Sequence, residues 1–140
     1  MVGVAEQVRD ERTARMVLSM IDDPDDPMTG KVLWQVGGIG TLSLLEGDGP
    51  VPALDETEAM VWRSRLAPRL NTFLLNAADN YQQRGMSTLI PTDKHWPTAL
   101  GGLGTRQPYL LWTQGATSLL TGRPADRDWD AAESKLALLV

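Results

Sequence analysis

The 140-residue chain has no cysteine, which excludes disulfide frameworks, thiolate zinc sites, iron–sulfur clusters and cysteine nucleophiles together. It has one histidine, His95, and a single imidazole builds no metal centre. With no nucleophile beside it, a surface or hinge role is expected for His95 rather than that of a catalytic base. No serine stands in a Gly-x-Ser-x-Gly context, and Glu56 and Glu58, on adjacent faces of one helix, form no glycosidase-like pair. No cofactor and no catalysis are therefore expected. Long apolar runs are also missing. Val32 to Leu45 and Gln107 to Gly122 are free of charge but interrupted by glycines and polar residues, short of the ~20 apolar residues that span a bilayer. The first residues carry Glu6, Arg9, Asp10, Glu11 and Arg12 where an export leader needs an apolar stretch. A cytoplasmic chain without membrane contact is expected, and no internal repeat is seen.

What remains has the composition of a folded protein, with 42% hydrophobic and 22% charged residues. Its net charge of −5 hides an asymmetry. Residues 1–61 hold four basic and twelve acidic groups, whereas residues 62–106 hold six basic and two acidic. This balance argues against a whole-surface nucleic-acid binder and leaves room for a local basic face in the middle third.

In the segment from Glu6 to Ile21, Ala14, Val17, Leu18 and Ile21 have the spacing of one helix face. Asp22 to Pro27, DDPDDP, stops that helix and supplies capping oxygens for the next. A calcium loop would need a longer ladder of ligands, so solvated, capping aspartates are expected. Met28 to Val36 and Thr41 to Glu46 read as two helical segments joined by Gly37-Gly38-Ile39-Gly40, the outline of a helix–hairpin–helix. Val32, Leu33 and Val36 would face Leu42, Leu44 and Leu45 across it. Free amides at the start of the second segment can hold a phosphate oxygen. The competing reading, a tight turn without a ligand, is favoured because no basic residue follows Lys31 nearby.

Gly47 to Asp55 is a linker by composition, and Asp55 is placed to cap a long helix from Glu56 to about Arg84, kinked or divided near Ala67 by Pro68. Arg63, Arg65 and Arg69 cluster around that kink. They read either as a phosphate-binding patch or, preferably, as a face paired with the acidic first third. The candidate nucleic-acid contacts are thus Gly38, Ile39, Gly40, Thr41, Arg63, Arg65 and Arg69. After Gly85, strands are expected at Ser87 to Pro91 and Tyr109 to Thr113, with a turn and single helical turn over Thr92 to Leu100 and a plain loop over Gly101 to Pro108. Trp129, Ala132, Leu136 and Leu139 suggest a last helix over Asp128 to Val140. The five tryptophans are expected in the core.

Three segments resemble the front of the bacterial DNA-processing protein A family, DprA or Smf. ERTARMVLSMIDDPDDP, Glu11 to Pro27, is similar to its opening helix, and VLWQVGGIGTLSLLEG, Val32 to Gly47, to the hairpin that follows. Gly85 to Leu120 resembles its signature through Thr92, Trp96-Pro97, Leu100, Pro108, Leu110-Leu111-Trp112 and Gly115. The resemblance covers Glu11 to Arg127, weakest between Gly47 and Arg84. It then stops, without the Gly-x-Arg motif that opens the family's DNA-binding domain.

What the resemblance implies is a mainly α chain: a SAM-like or helix–hairpin–helix domain over residues 1–84, followed by a truncated Rossmann-like α/β segment over residues 85–140. The family binds single-stranded DNA and helps to load the RecA recombinase during natural transformation. None of its DNA-binding residues carries over to this chain. The resemblance implies a DprA-like accessory protein in DNA processing, with a protein partner such as RecA, or self-association. A helix–hairpin–helix module binding the DNA backbone weakly is the alternative. Such a chain is expected to be a truncated product, half of a split protein or a relative keeping only the interaction module. Its two strands are expected to have their edges covered by the last helix or by another chain.

Overall fold

The computed structural model describes residues 3–23, 25–114 and 137–139. Five α-helices precede a small sheet: α1 Val4–Gln7, α2 Glu11–Ile21, α3 Pro27–Glu46, α4 Glu56–Leu66 and α5 Phe73–Gln83. Then come β1 Ser87–Leu89, a 3₁₀ segment Thr98–Arg106, β2 Leu111–Gln114 and β3 Ala137–Leu139. The chain is mainly helical with a small antiparallel sheet, and no strand is found among the described residues before Ser87.

Each helix boundary has a local cause. The segment expected as one helix from Glu6 is two, because Asp10 accepts from the Thr13 amide and starts α2 there. The shorter α1 lies on the far end of α3, where both carboxylate oxygens of Glu46 accept from the amides of Val4 and Ala5 at 2.9 and 2.7 Å. Asp26 caps α3 through Met28 and Thr29, with Pro27 opening the first turn. α3 bends at Gly37, whose φ of 76° belongs to the left-handed region that glycine tolerates. The two helical segments expected on either side of the glycines are thus present, joined at Gly37 by one non-helical residue. Asp55 and Glu58 form a reciprocal capping box on α4. The long helix expected from Glu56 to Arg84 is divided into α4 and α5, since Pro68 has no amide to donate and Leu70 is extended.

α3 packs against α1, α2, α4 and the 3₁₀ segment, so it runs through the centre. The expected face of α2 is buried at Ala14, Val17, Leu18 and Ile21. These residues share one core with Val32, Leu33, Leu42 and Leu45 of α3 and Trp62 and Leu66 of α4. Val36, expected in that core, is exposed at the outer surface of α3. Ile90, Tyr109 and Leu110 join the same core from beyond Gly85, so helices and sheet are packed as one body.

β1 and β2 pair antiparallel, with Leu89 opposite Leu111, and these two leucines pack with Trp96 and Leu100 in a second, smaller cluster. On the other side of β2, Trp112 opposes Leu139. The helix expected over Asp128 to Val140 is corrected here, because residues 137–139 are a strand. A short apolar run such as Ala137-Leu138-Leu139 does not tell strand from helix by periodicity. The rest of that segment, with Trp129, lies outside the described residues. No helix among them is long and apolar enough to cross a membrane.

Candidate functional site

The turn, read preferably as one without an external ligand, receives a carboxylate of the chain itself. The Gly38 amide, which opens the second half of α3, donates to both oxygens of Glu11 at 2.9 and 2.8 Å. Glu11 is fixed in turn by Arg15 Nε at 2.7 Å, and Arg15 Nη1 donates to the carbonyl of Tyr109 at 2.9 Å. A Cβ on Gly38 would stand 2.9 Å from the Ala14 Cβ, so α2 and α3 touch backbone to side chain at this point. Thr41 is buried and its hydroxyl donates to the Gly37 carbonyl at 2.7 Å. Ile39 is partly exposed and Gly40 lies beside Val36. The helix N-terminus therefore has its anion in place.

The three arginines also meet acceptors of the chain itself, although Arg65 and Arg69 stay exposed. Arg69 Nη1 donates to the Ile21 carbonyl at 3.0 Å, which satisfies the end of α2. Arg63 Nε donates to the Leu44 carbonyl at 2.8 Å near the end of α3. Arg65 pairs with Asp22 and Asp26. The turn thus meets the start of α2 while Arg65 and Arg69 meet its end. Eleven residues of helix, about 16 Å at 1.5 Å per residue, separate the two candidate regions. They do not converge on one surface.

Arg65 belongs to a buried polar cluster that the sequence reading missed. Trp62 Nε1 donates to the Thr29 hydroxyl at 2.8 Å, and that hydroxyl donates to Asp22 Oδ2 at 2.6 Å. The Tyr109 hydroxyl lies 2.9 Å from Asp22 Oδ2 and 2.8 Å from the Asp23 carbonyl. Asp22 and Asp26 are only 9% and 8% exposed. The expectation of four solvated aspartates is corrected for these two, while Asp23 and Asp25 are exposed, Asp25 pairing with Arg106 at 3.0 Å. The physical reason is the cluster of donors from α4 and Tyr109, which replaces water around the two carboxylates. Burial and the hydrogen bond to Asp26 raise the Asp22 carboxyl above its ordinary range. For Asp26 burial acts the same way, but the hydrogen bonds from Asp22 and Arg65 outweigh it and hold the group low. Burial and the neighbouring Asp22 push the Tyr109 hydroxyl up. A readable signal existed: Asp22 and Asp26 bracket a proline turn, and Trp62 and Arg65 are three apart on one helix.

This cluster joins α2, α3, α4 and the approach to β2, and its donors and acceptors are used on one another. It acts as a polar clasp between these elements. His95 is half-buried and lies near Asp93, not near any part of the cluster. No group of three or more metal-ligating side chains is found among the described residues. Large apolar side chains, by contrast, are exposed: Trp34 at 64%, Met60 at 66% and Phe73 at 77%. Trp34 departs from the expected core position, whereas Trp62 and Trp96 are buried. No family model, curated protein or solved structure matches the chain.

Proposed function

We propose that the chain is a non-catalytic, DprA-like accessory protein of DNA processing and recombination that works by protein contacts. In this reading the helical part is a SAM-like or helix–hairpin–helix domain. The segment from Ser87 onward is then the start of a Rossmann-like fold, whose three antiparallel strands would be the edge of a mixed sheet. The partner suggested by the family resemblance is a RecA-type recombinase. The observation that carries the reading is the contrast in how groups are used. The Gly38 amide and the guanidinium groups of Arg63, Arg65 and Arg69 are bound within the molecule, whereas Trp34, Met60 and Phe73 are turned to solvent. Exposed apolar side chains suit protein contacts, and guanidinium groups already paired contribute little to phosphate binding.

Two titrations of the full chain test it. Sedimentation with a purified RecA-type recombinase is expected to show a complex that survives 300 mM salt. Fluorescence anisotropy with a labelled single-stranded 30-mer is expected to show at most the nonspecific class of affinity, Kd on the order of 10⁻⁴ to 10⁻⁶ M at physiological salt. No recombinase complex at 100 µM would overturn the reading. Nanomolar DNA binding with a steep salt dependence would replace it by the DNA-backbone module.

A further inference from the structure

An open trough of about 790 Å³ runs between α4 and the linker that precedes it. Its floor follows one stripe of α4, Glu56, Met60 and Ser64, at a constant spacing of four residues, with Pro68 just beyond the helix end. That stripe is about 12 Å long at 1.5 Å per residue, the length of about four residues of extended chain. The opposite wall is formed by the buried Val51, by Leu54 and by the backbone from Asp48 to Pro50. The peptide groups of Asp48, Gly49 and Pro50 make no hydrogen bond with any described residue. An open channel with apolar walls and unpaired peptide groups along one side suits a linear peptide rather than a compact ligand.

One further feature qualifies the occupant. The mouth carries Asp48, Asp55 and Glu56 against the single positive charge of Arg63, so its field favours a cationic visitor. α4 itself is apolar on two sides, because Met60 and Val61 are exposed while Ala59, Trp62 and Leu66 are buried.

We infer that this trough docks a short extended segment of a partner protein, apolar at its centre and flanked by lysine or arginine. The inference rests on the reading of the chain as a module of protein contact, and it names the surface and the chemistry of the partner.

The probe is a fluorescein-labelled heptapeptide, Lys-Leu-Val-Leu-Ala-Leu-Lys, titrated against the full chain by anisotropy, with a counterpart carrying glutamate at both ends. The lysine-ended peptide is expected to bind in the micromolar range and the glutamate-ended one at least tenfold more weakly. Ser64→Trp, which fills the channel from an exposed position, is expected to weaken binding at least tenfold with the helical circular dichroism unchanged. The double variant Asp48→Lys, Glu56→Lys is expected to reverse the preference between the two peptides. Equal binding of both peptides, no binding at 1 mM, or full binding by Ser64→Trp would overturn the inference. Concentration-dependent dimerisation of the unliganded chain that Ser64→Trp abolishes would do so too, by making a second copy the occupant. The two readings fail separately. A recombinase complex that Ser64→Trp leaves intact removes the trough but keeps the partner, and peptide binding without a recombinase complex does the reverse.

Discussion

Arg12 and Asp93 together close one edge of β1. Arg12 Nη1 donates to the Thr88 carbonyl at 2.8 Å, Asp93 accepts from the Ile90 amide at 2.8 Å, and the two side chains meet at 2.6 Å. Thr88 and Ile90 are two residues apart, so their peptide groups face the same side of the strand. The ion pair thus takes the place of a neighbouring strand for one carbonyl and one amide. With β3 on β2, the edges that were expected to need a last helix or another chain are covered by a side-chain pair and a third strand.

Arg12→Ala should therefore act on association as well as on stability. The side chains are 33% and 22% exposed, so solvent screens part of their attraction, and the expected loss is about 1–2 kcal/mol in urea unfolding. The opened edge should also promote self-association, measured by sedimentation at rising concentration. A variant that stays monomeric and as stable as the parent would contradict the edge-covering role. The pH dependence has a definite sign. Burial alone would raise the Asp93 carboxyl, but the bonds from Arg12 and the Ile90 amide outweigh it and hold the group below its ordinary value. Its contribution is present above the unfolded value of about 3.9 and is lost as pH falls through the lower folded value. Asp93→Asn should flatten that acid limb of the stability curve.

Glu11→Gln tests whether a carboxylate is needed at the break in α3. The variant keeps an acceptor for the Gly38 amide but loses the charge at the helix start and the pair with Arg15. A loss of about 1 kcal/mol is expected, and Glu11→Ala should cost about 2 kcal/mol. If inorganic phosphate at 10 mM restores stability to Glu11→Ala and not to the parent, the Gly38 amide is an anion site that Glu11 occupies. Equal effects on both would leave Glu11 as a cap alone.

Gly30→Ala should disturb the seat of the 3₁₀ segment on α3. A Cβ at Gly30 would stand 2.1 Å from the Thr105 carbonyl oxygen, a backbone atom that a rotamer change does not move away. Overpacking of this kind costs about 1–3 kcal/mol. Tryptophan fluorescence should report it, since Trp34 lines the small cavity beside Gly30 and Thr105. Gly101→Ala and Gly102→Ala, where an added Cβ meets nothing within 4 Å, should leave both stability and fluorescence nearly unchanged.

The parts of the fold that were legible in the sequence are those set by local chemistry. The apolar stripe of α2, the caps Asp26 and Asp55, the break at Gly37 and the disruption at Pro68 each follow from one residue type at one position. Long-range choices were less readable. Asp22 sits in a run of four aspartates, and nothing within that run shows that Tyr109, 87 residues on, will reach it. Whether Arg65 meets a phosphate or Asp26 depends on how α4 lies against α3, which periodicity does not specify. Trp34 has the composition of a core residue and the register of an exposed one. The preferred reading of the arginines as paired with the acidic first third holds for Arg65, and what the sequence withheld was the identity of the other acceptors, Glu11 for the Gly38 amide and the Leu44 and Ile21 carbonyls for Arg63 and Arg69.

The polar clasp gives the last prediction, a stability profile with opposite limbs. Burial and Asp26 raise the folded value of Asp22, so the folded state binds its proton more tightly than the unfolded state does. Stability from this group is therefore present below the unfolded value of about 3.9 and is lost as pH rises through the higher folded value. Asp26, held low by Asp22 and Arg65 against its burial, has the opposite sign and loses its contribution as pH falls below about 3.9. Asp22→Asn removes the first limb while keeping a side-chain oxygen that can accept from Thr29 and Tyr109. Relative to the parent, Asp22→Asn should gain stability as pH rises from 4 to 8, whatever the offset between them at pH 4. Tyr109→Phe, which deletes one hydroxyl from the cluster, should cost about 1–2 kcal/mol at pH 7 because the Asp22 carboxyl and the Asp23 carbonyl lose that donor. Urea midpoints at pH 4, 5.5, 7 and 8 decide the matter. Parallel curves for the parent and Asp22→Asn would mean that Asp22 titrates as it does in the unfolded chain, and the clasp would then carry no pH dependence of its own.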